Sequence, residues 1–271
     1  MKILVVNDDG ITSAGIHALA KVMKKLGDVW VVAPERPQNA VGRAMTLHKP
    51  LRLIRVRKQQ YAVNGTPADC VTLGVDKLLQ DNPPVLVVSG INQGLNLGDD
   101  VTNSGTVAAA LEAAIRGIPA MAISLEGQRV YRYHVAALVA YRVAERVLRN
   151  GLPSDTLLNV NVPHRGTAQK LEGVKVTSLA RRRYANPVVE KLDPRGEKYY
   201  WIAGEQRSWT RAGQADYEAI SQGYVSITPL RVDMTHYRAM RLLRSWESAL
   251  TACLHEPLTE KNQERHSLRE M

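Results

Sequence analysis

Two neighbouring acids, Asp8 and Asp9, stand directly before Gly10 at the end of a short apolar run, Lys2-Ile3-Leu4-Val5-Val6. Side chains on a strand alternate between faces, but a glycine lets the backbone turn, so both carboxylates can converge on one spot. At ~4 Å their repulsion is roughly 4 kcal/mol for an effective dielectric near 20. Either one acid is protonated or a cation lies between them. Carboxylate and amide oxygens without thiolate or imidazole favour a hard ion such as Mg²⁺ or Mn²⁺. The competing reading is a polar Asp-Asp-Gly turn in which one acid caps the next helix.

A second stretch supplies what a phosphate requires. Gly90, Gly94, Gly98 and Gly105 let the backbone approach an anion, while Asn92, Asn96 and Asn103 offer donors and acceptors. Ser104-Gly105-Thr106 then opens an Ala-rich helix whose free N–H groups and positive dipole end suit a phosphate. Neither a Walker A spacing nor a Gly-x-Gly-x-x-Gly opening a helix is present, which disfavours nucleoside triphosphate and dinucleotide sites. The seven His form no His-x-x-x-His pair and Gly-x-Ser-x-Gly is absent. An all-His metal site and a triad hydrolase are therefore disfavoured, and Ser104 reads as a cap or phosphate ligand. Cys70 reads as buried filler, and Asp69 as the complement of a helix begun at Pro67.

These residues need a scaffold. Lys2 to Asn7 and Val29 to Ala33 are short apolar runs of the kind a strand buried on both faces produces. Between them Ser13 caps a helix carrying Ile16, Leu19, Met23 and Leu26, stopped at Gly27. The alternation recurs as strand Val85 to Ser89, helix Thr106 to Arg116, strand Ala120 to Ser124, helix Tyr133 to Arg149 and strand Leu157 to Val162. The pattern predicts an α/β fold, a Rossmann-like mostly parallel sheet with flanking helices, whose ligands bind beyond the carboxyl ends of the strands. Leu51 to Val63 reads as a two-strand excursion projecting from that sheet, before Thr66-Pro67 opens a helix. Arg181 to Arg211, with turn signals at Pro187, Pro194, Gly196 and Gly204, reads as a protruding β-hairpin arm. Gly223 to Pro229 is a further strand, and Tyr237 to Leu250 a C-terminal helix with Met240, Leu243 and Trp246 available for burial. The organisation expected is a core over residues 1–180, an arm, returning strand and helix over 181–250, and a polar tail over 251–271.

The 271 residues carry a net charge of +10, of which +7 falls after residue 125, mostly as Arg. Such a field attracts phosphate-bearing partners of any size without selecting among them. Cys70 and Cys253 are too few and too far apart for a disulfide framework or zinc knuckle, so a reduced, cytoplasmic setting is expected. The opening apolar run is shorter than a signal peptide, and no stretch approaches the ~20 apolar residues of a membrane span.

Six motifs occur in order: Lys2-Ile3-Leu4-Val5-Val6-Asn7-Asp8-Asp9-Gly10, Ala33-Pro34, Asn64-Gly65-Thr66-Pro67-Ala68-Asp69-Cys70-Val71, Ser89-Gly90-Ile91-Asn92-Gln93-Gly94-Leu95-Asn96, Ser104-Gly105-Thr106-Val107 and Gly223-Tyr224-Val225-Ser226-Ile227-Thr228-Pro229-Leu230. Together they resemble the stationary-phase survival (SurE) family. The resemblance implies a phosphatase of nucleoside 5′- and 3′-monophosphates, and of short polyphosphate, with one divalent cation (Mg²⁺ or Mn²⁺) per subunit. Its implied metal ligands are Asp8, Asp9, Asn39 and Asn92. Position 39 usually holds Ser in that family; an amide oxygen can ligate a hard cation as a hydroxyl does. Asn103 stands where the family more often has Tyr. Dimers or tetramers through exchange of C-terminal segments are also implied.

On this reading Asn96, Ser104, Gly105 and Thr106 grip the phosphate oxygens and Asp8 orients or activates water. Two rivals make different predictions. A receiver-like signalling domain also places an acidic pair after its first strand, but it needs a phosphoacceptor Asp where this chain has Ser89-Gly90. A nucleic-acid-binding protein using the Arg-rich second half would be indifferent to chelator and steeply salt-dependent.

Overall fold

The computed structural model describes residues 1–127, 131–165, 167–185, 188–202, 206–210 and 214–254. The contacts divide the chain into two compact units, Met1–Val232 and Asp233–Met271.

In the first unit the apolar runs form strands as the sequence predicts. They are β1 (Lys2–Val6), β2 (Asp28–Pro34), β3 (Leu53–Arg57), β4 (Gln60–Val63), β5 (Leu86–Gln93), β6 (Ala120–Leu125), β7 (Thr156–Val162) and β8 (Gly173–Val176). The hairpin strands β9 (Arg181–Ala185), β10 (Val188–Leu192), β11 (Lys198–Ile202) and β12 (Gln206–Thr210) follow, then β13 (Tyr224–Arg231). The helices are α1 (Ala14–Met23), α2 (Pro67–Leu73), α3 (Gly105–Ile115), α4 (Tyr133–Asn150) and α5 (Asp216–Ser221). The main sheet has the order β3-β4-β2-β1-β5-β6-β7-β13-β8, parallel except at β3–β4 and β13–β7.

Each central strand is apolar on both faces because each face has its own helical cover. Ile3, Val5, Leu86, Val88, Met121, Ile123, Val160 and Val162 pack with α1 and α4, while Leu4, Val6, Val87, Ala120, Ala122 and Leu157 pack with α2 and α3. Burying both faces is what a parallel sheet requires. Caps set the helix starts as expected: Ser13 accepts from Ile16 N, and Thr66 and Asp69 form a reciprocal capping box at α2. Helix α1 ends at Met23, so Leu26 packs on the core from the turn beyond it.

The Leu51 to Val63 excursion does not project. β4 pairs in parallel with β2 and carries β3 at the sheet edge, so it extends the sheet, because four backbone registers with β2 satisfy its N–H and C=O groups. Arg181 to Arg211 does form the expected arm, as antiparallel pairs β9–β12 and β10–β11, the latter closed by a turn around Asp193 and Gly196. The turn signals at Pro187 and Gly204, and Arg211, lie outside the described residues. Residues 181–232 belong to the first unit, since β13 returns between β7 and β8.

The second unit begins with α6 (Tyr237–Leu243), capped by His236 Nδ1 accepting from Ala239 N, and continues through a 3₁₀ turn, Arg244–Trp246, into α7 (Glu247–Cys253). Met240, Leu243 and Trp246 are all exposed. The tail from residue 255 lies outside the described residues. No described helix is long and apolar enough to cross a membrane.

Candidate active site

The chain places β2 on one side of β1 and then crosses to place β5 on the other. Neighbouring loops diverge at such a switch in strand order, and the crevice opens beyond the carboxyl ends of the strands. Asp8 and Asp9 follow β1, Asn39 follows β2, and Asn92 lies at the end of β5. Together with Asn96, Asn103, Ser104 and Tyr131 they line a cavity of about 460 Å³.

Local geometry explains the convergence. Asn7 is fully buried; its side chain accepts from Gly10 N and donates to Gly10 O and Ser13 Oγ, folding the chain sharply after Val6. Gly10 takes φ +93°, a conformation L side chains rarely adopt. The loop after β2 is pinned to the same spot, with Gln38 N donating to Asp8 O and Gly42 N to Asn103 O. A shift of register between Ser89 and Asn92 interrupts the β5–β6 ladder, the kind of irregularity that re-aims side chains at a strand end. The Asn92 amide donates to Gly94 O, leaving its Oδ1 as acceptor.

Asp8 is buried beneath the cavity. Thr106 Oγ1 donates to Asp8 Oδ1, and the Thr106 backbone N–H donates to the same carboxylate. Burial nevertheless pushes the Asp8 carboxyl up from 3.8 to about 6, against the lowering effect of Thr106 and with the Asp9 charge adding to the rise. Burial raises Asp9 too, opposed by the Gln93 backbone N–H. Its Oδ2 atom is buried with no hydrogen-bond partner.

Of the eight residues singled out from sequence, Asp8, Asp9, Asn39, Asn92, Asn96 and Ser104 line the cavity, and Gly105 and Thr106 do not. Gly105 is where α3 meets the acid: a Cβ there would come within 2.8 Å of Asp8 Cβ and 3.1 Å of Asp8 Oδ2. Thr106 is fully buried and its hydroxyl donates to Asp8, clamping the carboxylate. Ser104 accepts from Val107 N as the N-cap of α3 while still facing the cavity.

Sequence reasoning missed the support beneath Asn96. Asn161 Oδ1 accepts from Asn96 N, and the Asn159 and Asn161 amides both donate to Asn96 O. Asn96 Nδ2 donates to Ser124 Oγ. The signal was Asn159-x-Asn161 within an otherwise apolar strand, β7, where buried amides require partners. Asp216 was missed as well. It is fully buried and accepts from Gly98 N, Ala180 N and Tyr217 N, tying the far end of the glycine-rich loop to the root of the arm.

A hard cation fits this donor set. Two raised carboxylates, one with an orphaned oxygen, and the amides of Asn39 and Asn92 face one cavity, which no thiolate or imidazole lines among the described residues. Among the described residues no three His, Cys, Asp or Glu cluster, so amides or water would complete any coordination.

The fold and cavity define an α/β protein with an acidic, amide-lined crevice at a switch in strand order, facing a helix N-terminus. The family model described as "Survival protein SurE" matches residues 3–186, and the chain belongs to that family. It is 51% identical over 247 residues to the 5′-nucleotidase SurE of Pelobacter propionicus, covering 91% of this chain and 99% of that one. It is 48% identical to the 5′-nucleotidase SurE of Geobacter sulfurreducens, covering 93% and 95%. The crystal structure of the SurE protein from Aquifex aeolicus superposes with a TM-score of 0.84 at 43% identity, covering 91% and 100%.

Proposed function

We propose that this chain is a divalent-metal-dependent 5′-nucleotidase that hydrolyses nucleoside monophosphates to nucleoside and phosphate, with 3′-monophosphates and short polyphosphate as further substrates. The observation that carries the reading is the unpartnered, buried Asp9 Oδ2 beside Asp8 in an oxygen-lined cavity. The names of relatives covering almost their full length support it.

Asp8, Asp9, Asn39 and Asn92 would hold one cation, Mg²⁺ or Mn²⁺, per subunit. When bound, that cation supplies Lewis-acid charge to the reacting phosphoryl group. Asn96 and Ser104 hold phosphate oxygens, with Gly105 allowing the N–H groups of α3 to come close. Asp8 orients the attacking water and accepts its proton. Thr106 fixes the Asp8 carboxylate and keeps Oδ1 from turning.

The setting is cytoplasmic, and residues 181–250 join subunits into a homodimer or homotetramer by exchange of C-terminal segments. The exposed Tyr200, Trp201 and Ile202 of the arm and Met240, Leu243 and Trp246 of the terminal helices support this, because such surfaces call for a partner.

The test is phosphate release from a panel of nucleoside monophosphates with Mg²⁺, Mn²⁺ or EDTA. Release with metal and none with EDTA is expected. No release under any metal condition would refute the reading, and nucleic-acid binding indifferent to chelator would favour the rival.

A further inference from the structure

A second cavity, of about 420 Å³, adjoins the first and shares Leu95 and Asp100 with it. Its other walls include Leu97, Glu126, Trp209 and Tyr217. The two cavities differ in chemistry: the first is walled largely by carboxylates, amides and a helix cap, the second by the Trp209 and Tyr217 rings and three aliphatic side chains, with Asp100, Glu126 and Ser221 as its polar groups. A nucleoside monophosphate has the same division, a phosphate at one end and a flat aromatic base at the other.

Trp209, on β12, and Tyr217, on α5, stack with ring centroids 5.1 Å apart and planes inclined at 21°. Trp209 also lies against the glycine-rich loop, since a Cβ at Gly98 would fall 2.8 Å from its ring. Asp216 accepts from Gly98 N through Oδ2 and from Tyr217 N through Oδ1, tying the aromatic pair to the glycine-rich loop. Tyr217 is 42% exposed despite its aromatic character, leaving ring surface for a third plane. Glu126, which also lines this cavity, accepts from His164 N through Oε2, which leaves Oε1 to accept from amino or ring N–H groups.

We infer that this second cavity is the nucleobase subsite, in which Trp209 and Tyr217 form the stacking platform for the base of a nucleoside monophosphate whose phosphate occupies the acidic cavity. The inference rests on the nucleotidase reading above. A stack of this kind accepts any base, because every base presents a π-face. The cavity lies within the ~300–1,000 Å³ range of small-molecule sites.

The test compares kcat/KM for adenosine 5′-monophosphate with kcat/KM for ribose 5-phosphate, which carries the same phosphate and sugar without a base. Losing a base–aromatic contact costs about tenfold or more in binding. Trp209→Ala and Tyr217→Ala are each expected to lower the ratio of the two constants about tenfold through KM, with Trp209→Phe restoring most of it. Binding of adenosine without phosphate, followed by calorimetry, should weaken in parallel. A wild-type ratio in both alanine variants overturns the subsite, as does a fall in Tyr131→Ala alone, which would put the base against the wall of the first cavity. If wild-type protein releases phosphate from neither compound with metal present, the nucleotidase reading fails and the subsite with it. Activity with an unchanged ratio removes the subsite only.

Discussion

Thr106→Val isolates the clamp on Asp8. The hydroxyl donates to a buried carboxylate, and a hydrogen bond to a charged group contributes about 1.5–3 kcal/mol. At 1.36 kcal/mol per unit, removing it should raise the Asp8 carboxyl about one to two units beyond its already raised position. In the metal-free native state Asp8 holds its proton up to about pH 6, whereas an unfolded Asp loses it near 3.8. Across that window the folded chain binds more protons than the unfolded one, so stability falls as pH rises, by about 3 kcal/mol in total. In the variant the fall continues to higher pH. Urea melts in EDTA at pH 4.5 and 7.5 should therefore show a destabilisation about 1.5 kcal/mol larger at pH 7.5, some 3–6 °C if followed by heat. With metal, kcat at pH 7 should drop at least tenfold. Equal destabilisation at both pH values, with wild-type kcat, would refute the assignment of Thr106 to the carboxylate.

Asp8→Asn should abolish phosphate release while leaving the metal-free protein at least as stable as wild type at pH 7.5, since an ionised buried group is removed; an active variant contradicts the role given to Asp8. Gly105→Ala forces a Cβ to 2.8 Å from Asp8 Cβ and 3.1 Å from Pro67 Cγ, so a loss of about 1–3 kcal/mol by denaturant melt and a tenfold lower kcat are expected. Asp216→Ala leaves three backbone N–H groups without their carboxylate and should cost about 3 kcal/mol, read by the same melts, with faster amide hydrogen exchange around Gly98.

The strand–helix alternation and the acidic pair were legible because each depends on short-range pattern. Lys2 to Val6 is apolar without interruption, and Ser13, Thr66 and Ser104 precede their helices as capping residues should. The excursion at Leu51 to Val63 was misjudged because alternating Arg and apolar residues describe an edge hairpin equally well whether or not it joins the larger sheet; only the register between Val31 and Gln60 decides. The bond from Thr106 to Asp8 was not legible for a similar reason. Its position in the first turn of a helix at a phosphate-like site is the same whether the hydroxyl faces ligand or carboxylate, and the choice depends on how closely the start of α3 approaches Asp8. Asn161 and Asp216 act across 65 and 118 residues of sequence, a separation no local spacing reveals.

The approach of the α3 N-terminus to Asp8, just beyond β1, ties the fold to the chemistry. Gly105 removes the side chain that would hold the helix away, and the small Ala109, Ala110, Ala113 and Ala114 let its body settle on Ala120 and Ala122. The result is an acid pressed beneath a helix N-terminus, too buried to ionise easily and too well bonded to turn away. Beside it, Asp9 keeps one oxygen without a donor. Two such groups raise the cost of the metal-free state at neutral pH, and a divalent cation lowers it. The electrostatic cost carried by these two acids is thus the same quantity that would favour a hard cation held between them, which is why a shift in one should appear in the other.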